Sequence, residues 1–159
     1  MPPSPRRKPA YVVRTSAIHG RGVFARRAIR RGAKIIEYAS DHTTWDIAAR
    51  RPLSDPDDPH HTFIFSVSNG TVIDAGLHGN AARWINHSCA PNCDAVEYDD
   101  GRVFIHARRA IAAGDELTYD YQLQLEGRIS QRTRNAYICR CSASRCRGSL
   151  LLVPPPKRT

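Results

Sequence analysis

Short runs in which apolar and polar residues alternate dominate the chain between residues 11 and 121. Alternation of this kind predicts half-buried β-strands, because successive side chains of a strand point to opposite faces of the sheet. The dipeptide Asn69-Gly70 and the tripeptide Asp99-Asp100-Gly101 predict the turns of two hairpins. We therefore predict strands over residues 11–13, 34–38, 63–66, 71–73, 94–98, 102–107 and 116–121.

Helical patterns are fewer and shorter than the strand patterns. The longest predicts a helix over residues 41–51, with Asp41 or Thr43 as the N-cap and with Trp45, Ala48 and Ala49 on one face. Prolines at positions 52, 56 and 59 end this helix and predict an irregular segment after it.

Two further segments and one loop complete the predicted architecture. Asn80 is predicted to cap a short helix over residues 81–85, and the polar, basic residues 126–136 are a further candidate helix. His19-Gly20-Arg21-Gly22 is predicted to be a loop, whose glycines allow positive φ angles and close approach of a ligand to the backbone. Many short strands with a few short helices indicate the α+β class, mostly β.

The 159 residues are enough for one domain with a hydrophobic core of its own. No apolar run approaches the roughly 20 residues that a membrane-spanning helix requires. The basic N-terminus lacks the apolar segment of a secretory signal peptide. We therefore expect no membrane association and a cytoplasmic location in the source cell.

The chain carries a formal net charge of +9. This charge favours acidic partners, nucleic acid or a nucleoprotein among them, although a solvated basic surface explains it equally well. All of the 24 basic side chains are arginines except Lys8, Lys34 and Lys157. Such a bias is common in GC-rich genomes and hints at a bacterial source.

Five cysteines cannot all pair, so a disulfide framework would leave one over. Without a signal peptide we prefer a reducing compartment, in which a cysteine cluster more often binds metal. Cys139, Cys141 and Cys146 supply three thiolates, and tetrahedral structural zinc requires four ligands. Cys89 and Cys93 are the candidates for the fourth. The alternative is a pair of disulfides with one spare cysteine.

Side chains capable of chemistry are densest between Gly79 and Cys93, where the sequence runs GNAARWINHSCAPNC. A second such stretch, GDELTYDY, occupies residues 114–121. Taken alone, the Asn-His-Ser run is most often a polar turn, and two tyrosines at positions i and i+2 are most often one face of a strand. In this order, and followed by the cysteine cluster, they are far more specific.

This combination resembles the SET-domain protein-lysine N-methyltransferases, and most closely their trithorax-like branch. The resemblance begins at the IHGRGVF segment of residues 18–24, includes the KIIEY segment of residues 34–38 and Asp74-Ala75, and covers roughly residues 10–150. It implies a SET-domain fold, built of small curved sheets around a pseudoknot. It also implies a C-terminal post-SET flap that carries the zinc cluster.

The resemblance implies a division of the chain into four parts. A disordered basic N-terminus occupies residues 1–9, and the SET domain occupies residues 10–123 with a variable insert at 41–62. A post-SET region with the zinc cluster follows at residues 124–153, and a Pro-rich tail ends the chain at residues 154–159.

The implied activity is transfer of a methyl group from S-adenosyl-L-methionine to a lysine ε-amine. The amine must be neutral, and with a reference pKa of about 10.4 only about one lysine in 10³ is neutral at pH 7. A desolvated channel lined by tyrosine hydroxyls favours the neutral amine and aligns it with the methyl group.

Three tyrosines receive roles from the resemblance. Tyr121 matches the catalytic tyrosine, and Tyr38 matches a second hydroxyl in the lysine channel. Tyr119 stands at the position that sets how many methyl groups are added, and a tyrosine there implies mono- to dimethylation. The alternative is that all three are packed strand tyrosines.

The resemblance also implies a cofactor site and a metal site. The predicted cofactor-binding residues are His19, Gly20, Arg21, Phe63, Asn86, His87 and Arg140. Close relatives often have tyrosine at the position of Phe63, so a hydroxyl contact is lost there. The implied metal is a structural zinc ion, and its ligands are Cys89, Cys139, Cys141 and Cys146. Cys93 is left as a buried free thiol.

The implied substrate is a basic protein tail, histone H3 or a histone-like protein. Residues 41–62 and 122–138 are the candidates for selecting it, as is an activating protein partner. The acidic cluster Asp55, Asp57 and Asp58 either attracts a basic peptide or forms a solvated loop. Nucleic acid is a secondary candidate partner.

Two other functions stay open at this point. One is a catalytically inactive SET-fold module that only binds peptides, and the other is methylation of a non-histone bacterial protein. If the source is bacterial, delivery to a host nucleus is an alternative to action in the source cell.

Overall fold

The structure is a computed structural model that describes residues 4–125 and 127–152. Its strands are β1 Tyr11–Thr15, β2 Arg21–Ala25, β3 Lys34–Glu37, β4 Asp41–Thr43, β5 Ile64–Ser66, β6 Val72–Asp74, β7 Asn86–His87, β8 Cys93–Glu97, β9 Val103–Ala107 and β10 Glu116–Tyr119. Its α-helices are α1 Trp45–Ala49, α2 Ala75–His78 and α3 Gln131–Ala136, and a 3₁₀ helix spans Ala81–Trp84. No helix in these two ranges has the length and apolar character needed to cross a membrane.

The strands form three small sheets, in the orders β1-β2-β10-β7, β3-β9-β8 and β4-β6-β5. Neighbouring strands are antiparallel except for β10 and β7, where Thr118 lies opposite Asn86 and Tyr119 opposite His87. This parallel pair brings the Asn-His run beside the tyrosine strand, although the two are far apart in the sequence.

One hydrophobic core joins the three sheets. Val23 of β2, Leu117 of β10, Ile73 of β6 and Ile105 of β9 are all fully buried in it. Burial of such a side chain stabilises the fold by about 1.5–3 kcal/mol. Strand β10, which carries Tyr119 and leads into Tyr121, is therefore anchored in the core by its own residue Leu117.

Asn92 holds the segment between β7 and β8 against β10. Its side-chain amide donates a hydrogen bond of 2.8 Å to the carbonyl of Glu116, and its side-chain oxygen accepts one of 2.9 Å from the N–H of Thr118. Asn92 is buried, so these bonds satisfy backbone groups that would otherwise need a neighbouring strand.

The helix predicted over residues 41–51 is wrong in its first part. Asp41–Thr43 forms β4, which pairs with β6. The helix begins only at Trp45, and its N-cap is Thr44, neither Asp41 nor Thr43. All three residues of β6 are buried, so pairing with this central strand outweighs local helix preference. Trp45 is 52% exposed whereas Ala48 is buried, so the two do not share a buried face.

Most of the other predicted elements are confirmed. The two hairpins at residues 69–70 and 99–101 form as predicted, and Asn80 caps the 3₁₀ helix. The predicted loop at residues 19–22 is wrong in its second half, because β2 begins at Arg21. Helix α2 and the short strand β7 were not predicted.

The ends of some predicted elements differ from those observed. Strand β10 stops at Tyr119, so Tyr121 follows the strand and does not belong to it. Helix α3 covers only Gln131–Ala136 of the candidate segment 126–136, whose first residue is outside the described residues. Residues 1–3 of the predicted N-terminus and the whole predicted tail, 154–159, are also outside them.

Candidate functional site

Four aromatic rings from different parts of the chain pack against one another. The ring centroids of Tyr38 and Phe65 are 5.4 Å apart, those of Phe65 and Tyr119 are 6.3 Å apart, and those of Tyr119 and Tyr121 are 4.9 Å apart. The structure thus brings the three predicted tyrosines together. Phe65 was not among the predicted site residues. The signal for it was its place two residues after the predicted site residue Phe63, since side chains two apart in a strand lie on the same face.

Two of the tyrosine hydroxyls donate to backbone carbonyls. The hydroxyl of Tyr121 donates to the carbonyl of Ile85 at 2.6 Å, and that of Tyr38 donates to the carbonyl of Phe63 at 3.1 Å. A hydroxyl has one hydrogen and two lone pairs. With the hydrogen so used, each oxygen keeps acceptor capacity that can orient an amine N–H.

Burial raises the pKa of all three tyrosines above the ordinary value. For Tyr38 and Tyr119 the neighbouring tyrosines add to the effect of burial, and for Tyr121 the carboxylate of Glu116 does so. All three phenols are therefore protonated at neutral pH. They can align a substrate amine but are not poised to act as bases.

Asn86 joins the loop at residues 19–22, which we call the first loop, to strand β10, which we call the tyrosine strand. Its side-chain nitrogen lies 3.2 Å from the carbonyl of His19, 2.8 Å from that of Arg21 and 2.9 Å from a carboxylate oxygen of Glu116. The same carboxylate accepts a hydrogen bond of 2.7 Å from the hydroxyl of Ser16. The loop is thus fixed beside the Asn-His run.

Glycines allow this close approach. Gly20 has a φ angle of +42°, a conformation that L side chains rarely adopt. A Cβ atom at Gly22 would collide with the carboxylate of Glu116 and come within 3.0 Å of Ser16 Cβ. Both glycines of the predicted loop are therefore required by its geometry.

His87 faces the tyrosines on one side and the cysteines on the other. Its Nδ1 atom accepts a hydrogen bond of 3.0 Å from the N–H of Tyr121, and its Nε2 atom lies 3.4 Å from Sγ of Cys89. Burial lowers the pKa of His87 to about 4, although Asp120 acts in the opposite direction. The ring is therefore neutral, and because Nδ1 accepts, the proton is on Nε2 and faces Cys89.

The two remaining predicted cofactor residues, Phe63 and Arg140, differ in burial. Phe63 is buried, and its ring packs edge-on against Trp84 at 5.1 Å and His61 at 4.8 Å. Arg140 is exposed, between two of the clustered cysteines. Phe63 is therefore a core residue whose carbonyl contacts Tyr38, and Arg140 is an exposed residue of the cysteine-bearing segment.

Four cysteines converge at the C-terminal end of the described chain. Sγ of Cys89 lies 3.7 Å from Sγ of Cys139 and 3.8 Å from Sγ of Cys146. Together with Cys141, all four sulfur atoms are within 4.8 Å of one another, and all are free thiols. Thiolates about 2.3 Å from a tetrahedral zinc ion lie about 3.8 Å apart, so the four residues fit this ion.

Backbone N–H groups point at the sulfur atoms of the cluster. The N–H of Cys141 donates to Sγ of Cys139, and that of Gly148 donates to Sγ of Cys146. Burial opposes ionisation of Cys141, but N–H groups of Cys89 and Ala143 lower its pKa to about 6. Such donors favour the thiolate form that binds metal.

Cys93 lies outside the cluster. It is fully buried, its thiol donates to the side-chain oxygen of Asn92, and burial raises its pKa to about 12. Of the two candidates for a fourth ligand, the structure therefore brings Cys89 to the cluster and leaves Cys93 in the core.

An ion pair fastens the cysteine-bearing segment to the residue between the two tyrosines. The guanidinium of Arg147 donates two hydrogen bonds, of 2.7 and 2.9 Å, to the carboxylate of Asp120. Although burial acts against it, these bonds lower the pKa of Asp120. The N–H of Leu152 also donates to the carbonyl of Leu123 at 2.8 Å. We call residues 137–152 the C-terminal flap.

The family model for the SET domain matches residues 20–122. The chain belongs to the SET-domain family. The matched span contains residues 20–22 of the first loop, the Asn-His run and strand β10, so the predicted fold class is confirmed.

Curated relatives of this SET domain are histone-lysine methyltransferases. They include "Histone-lysine N-methyltransferase 2B" of Homo sapiens, 40% identical over 149 residues, and "Histone-lysine N-methyltransferase, H3 lysine-4 specific" of Saccharomyces cerevisiae, 37% identical over 155 residues. "Histone-lysine N-methyltransferase trithorax" of Drosophila virilis is 36% identical over 135 residues. These alignments cover 88%, 91% and 83% of this chain but only 5%, 13% and 3% of the relatives, so the chain spans a small part of their length.

The SET domain therefore groups its predicted site residues into two adjoining centres. The tyrosines, the first loop and the Asn-His run form one, and the four cysteines form the other. His87 and Asp120 connect them. Asp120 was not among the predicted site residues. Its place between Tyr119 and Tyr121 was the signal for it in the sequence. The roles of the individual residues stay predictions.

Proposed function

We propose that this SET domain is a protein-lysine N-methyltransferase, which transfers a methyl group from S-adenosyl-L-methionine to the ε-amine of a lysine in a basic protein tail. One observation carries the proposal. The hydroxyls of Tyr38 and Tyr121 both donate to backbone carbonyls, which leaves their lone pairs to hold an amine.

The chain's part in the reaction is to hold a neutral lysine amine in line with the methyl group. When bound, S-adenosyl-L-methionine supplies an electrophilic methyl carbon on a sulfonium ion. The buried phenols of Tyr38, Tyr119 and Tyr121 disfavour an ammonium ion by desolvation. One ammonium proton passes to solvent water before transfer. Lone pairs of Tyr38 and Tyr121 then accept hydrogen bonds from the two remaining N–H groups, which aims the nitrogen lone pair.

The cofactor is proposed to bind next to these tyrosines. Its proposed partners lie in the first loop, at His19, Gly20 and Arg21, and in the Asn-His run, at Asn86 and His87. The hydrogen bonds from Asn86 to the carbonyls of His19 and Arg21 support this grouping. Phe63 and Arg140 are proposed to line its adenosine side.

The four clustered cysteines are proposed to hold a structural zinc ion. Because all four positions of a tetrahedral ion would be filled by thiolates, it has no open position for catalysis. Its effect is to hold the C-terminal flap against Cys89, two residues after His87, and so against the cofactor site.

Histone H3 or a histone-like basic protein is the proposed substrate, with mono- to dimethylation as the product. The names of the relatives, which are histone-lysine methyltransferases, support a histone substrate. Four large apolar side chains of the segment between residues 45 and 77 are exposed, which supports an activating protein partner: Trp45, Ile47, Leu53 and Leu77. For a bacterial source we propose a cytoplasmic enzyme, with delivery to a host nucleus as the alternative.

The test is methyl transfer from isotope-labelled S-adenosyl-L-methionine, measured for the wild type and for Tyr121→Phe. The substrates are core histones and, separately, a bacterial lysate. Tyr98→Phe is the matched control, since the hydroxyl of Tyr98 is bonded to His106 at 2.9 Å in a different sheet. We expect labelling of histone H3 that Tyr121→Phe lowers at least about 100-fold and Tyr98→Phe leaves intact.

Other results would change the proposal in stated ways. Label only in the lysate would move the substrate to a bacterial protein. Folded protein that binds the cofactor but labels nothing would point to the activating partner. Folded protein that binds peptide and no cofactor would overturn the enzyme and leave a peptide-binding module.

A further inference from the structure

Three side chains capable of binding metal meet beside the first loop, and none of them belongs to the cysteine cluster. They are His19, Asp58 and His61, and one donor atom from each lies within 4.8 Å of the other two. Nε2 of His19 is 3.6 Å from a carboxylate oxygen of Asp58. The proposed methyl transfer requires neither Asp58 nor His61, and of the three only His19 has a proposed role, in cofactor binding.

Two of the three side chains come from one turn. The N–H of His61 donates a hydrogen bond of 3.0 Å to the carbonyl of Asp58. Asp55 shapes the start of the same segment, because its carboxylate accepts a hydrogen bond of 2.9 Å from the N–H of Asp57. Asp58 and His61 therefore reach the group from a preformed turn, and little chain entropy is lost when both bind one ion.

The third side chain comes from a loop that is also fixed. The N–H of Ser16 donates to the carbonyl of Gly20 at 2.8 Å, and the side chain of Asn86 donates to the carbonyl of His19. The ring centroids of His19 and His61 are 4.5 Å apart at an interplanar angle of 72°. The backbone thus holds the two imidazoles close together from opposite sides of the group.

An apolar surface supports one side of the group while the other is open to solvent. The ring of His61 packs against Phe63, which packs against Trp84. The side chains of His19 and Asp58 are 40% and 43% exposed. An apolar backing with solvent access lets an ion enter while it restricts the motion of its ligands.

We propose that His19, Asp58 and His61 form a second metal site, which binds a divalent ion of the zinc and cobalt class. Two imidazoles and one carboxylate are ligands that these ions prefer, whereas magnesium and calcium prefer oxygen ligands alone. Three protein ligands leave at least one coordination position for water or another small ligand. The ion would also fasten the turn at residues 55–61 to the first loop.

The experiment is a metal count on protein that already carries zinc at its cysteines. The chain is dialysed against micromolar zinc or cobalt without cofactor, and the bound metal is measured by mass spectrometry. We expect a second equivalent of metal in the wild type, and at least a tenfold weaker second site in His61→Ala and in Asp58→Asn. Since neither cofactor nor substrate is present, failure of methyl transfer leaves this result unaffected.

His78→Ala is the matched control. His78 also faces a carboxylate, with its Nδ1 atom 3.1 Å from Asp41, but it is outside the group of three. The second equivalent should survive this substitution. A wild type that binds one equivalent only, or a second equivalent that His61→Ala and Asp58→Asn leave intact, would overturn the proposal.

Cobalt provides an independent readout. A site of nitrogen and oxygen ligands should give visible absorption bands without the intense thiolate charge-transfer bands of a cysteine site. Hydrogen exchange in residues 55–61 should slow when the second ion binds. Thiolate bands from the second equivalent would place the added ion at the cysteines and contradict the proposal.

Discussion

The Nε2 atom of His87 lies 3.4 Å from Sγ of Cys89, while Nδ1 of the same ring accepts a hydrogen bond from the N–H of Tyr121. A single buried imidazole therefore touches both the proposed zinc site and the backbone of the proposed catalytic tyrosine. Groups that form hydrogen bonds to the ligands of a metal ion orient those ligands and affect the affinity of the site for the ion. The two centres of the SET domain are thus coupled through one side chain.

We predict that His87→Ala weakens both centres together. Zinc should leave at least about tenfold faster, because Cys89 loses a hydrogen-bond donor. The rate of methyl transfer should fall as well, because the N–H of Tyr121 loses its acceptor. Zinc release to a chromogenic chelator and single-turnover transfer are the two measurements.

His106→Ala is the control for this prediction. His106 is half-buried and bonded to Tyr98 in another sheet, so its loss should change neither zinc release nor transfer. If His87→Ala lowers transfer while zinc release stays at the wild-type rate, the proposed coupling is wrong.

The second prediction concerns which cysteines hold the metal. Cys139→Ser should lose the single zinc equivalent of protein purified without added metal, whereas Cys93→Ala should retain it. Cys93 is fully buried in the core, so its replacement should lower the free energy of unfolding by about 1 kcal/mol. Metal analysis and chemical denaturation measure the two effects, and loss of zinc from Cys93→Ala would refute the ligand set.

The second prediction also implies that removal of zinc releases the flap and leaves the core folded. Leu150 and Leu152 donate backbone hydrogen bonds to Tyr137 and Leu123, and these should exchange rapidly once a chelator has removed the ion. The β8–β9 hairpin should keep its protection, because Val103 and Ile105 are fully buried in the core. Equal loss of protection in both regions would mean that zinc holds the whole fold.

Local patterns in the sequence predicted the parts of this fold that local forces determine. The hairpin between β8 and β9 follows from alternation around a turn that contains Gly101, whose φ angle is +83°. Strand β7 has two residues, Asn86 and His87, which is too short for any alternation. It exists only because β10 lies beside it, so no local pattern could predict it.

The candidate site shows the same division. The tyrosines and cysteines were found because each lies in a recognisable run of residues. The meeting of His61 with His19 was not found, because Asp58 and His61 belong to an irregular segment whose position depends on packing against Phe63. Contacts between loops distant in sequence leave no periodic signal.

The third prediction addresses the number of methyl groups added. Tyr119 is buried against Tyr121, and Tyr119→Phe removes a hydroxyl that we propose crowds the channel. The extra space should raise the proportion of di- and trimethylated lysine without abolishing transfer. Mass spectrometry of a histone H3 peptide measures the products, and Tyr98→Phe should leave their ratio unchanged. An unchanged product ratio in Tyr119→Phe would contradict the proposed position of this tyrosine in the channel.

The ion pair between Arg147 and Asp120 provides the fourth prediction. Arg147→Lys keeps the positive charge but loses the two parallel hydrogen bonds of the guanidinium. Both side chains are about three-quarters buried, so we expect the flap to lose about 1 kcal/mol of stability. Hydrogen exchange of residues 147–152 measures this loss. In the Asp120→Asn background, Arg147→Lys should have a much smaller effect, and equal effects in both backgrounds would show that the pair does not stabilise the flap.

The pH dependence of methyl transfer separates alignment by tyrosines from base catalysis by them. Burial raises the pKa of Tyr38, Tyr119 and Tyr121 above the ordinary value, so all three stay protonated well past pH 9. The free lysine must lose its proton, with a pKa of about 10.4, so log kcat/KM should rise between pH 7 and 9.5 with a slope near one. A peptide with a less basic amine, such as a lysine analogue of lower pKa, should shift the whole profile to lower pH. A plateau below pH 8 that does not move with the substrate would assign the titration to the enzyme and contradict transfer by alignment alone.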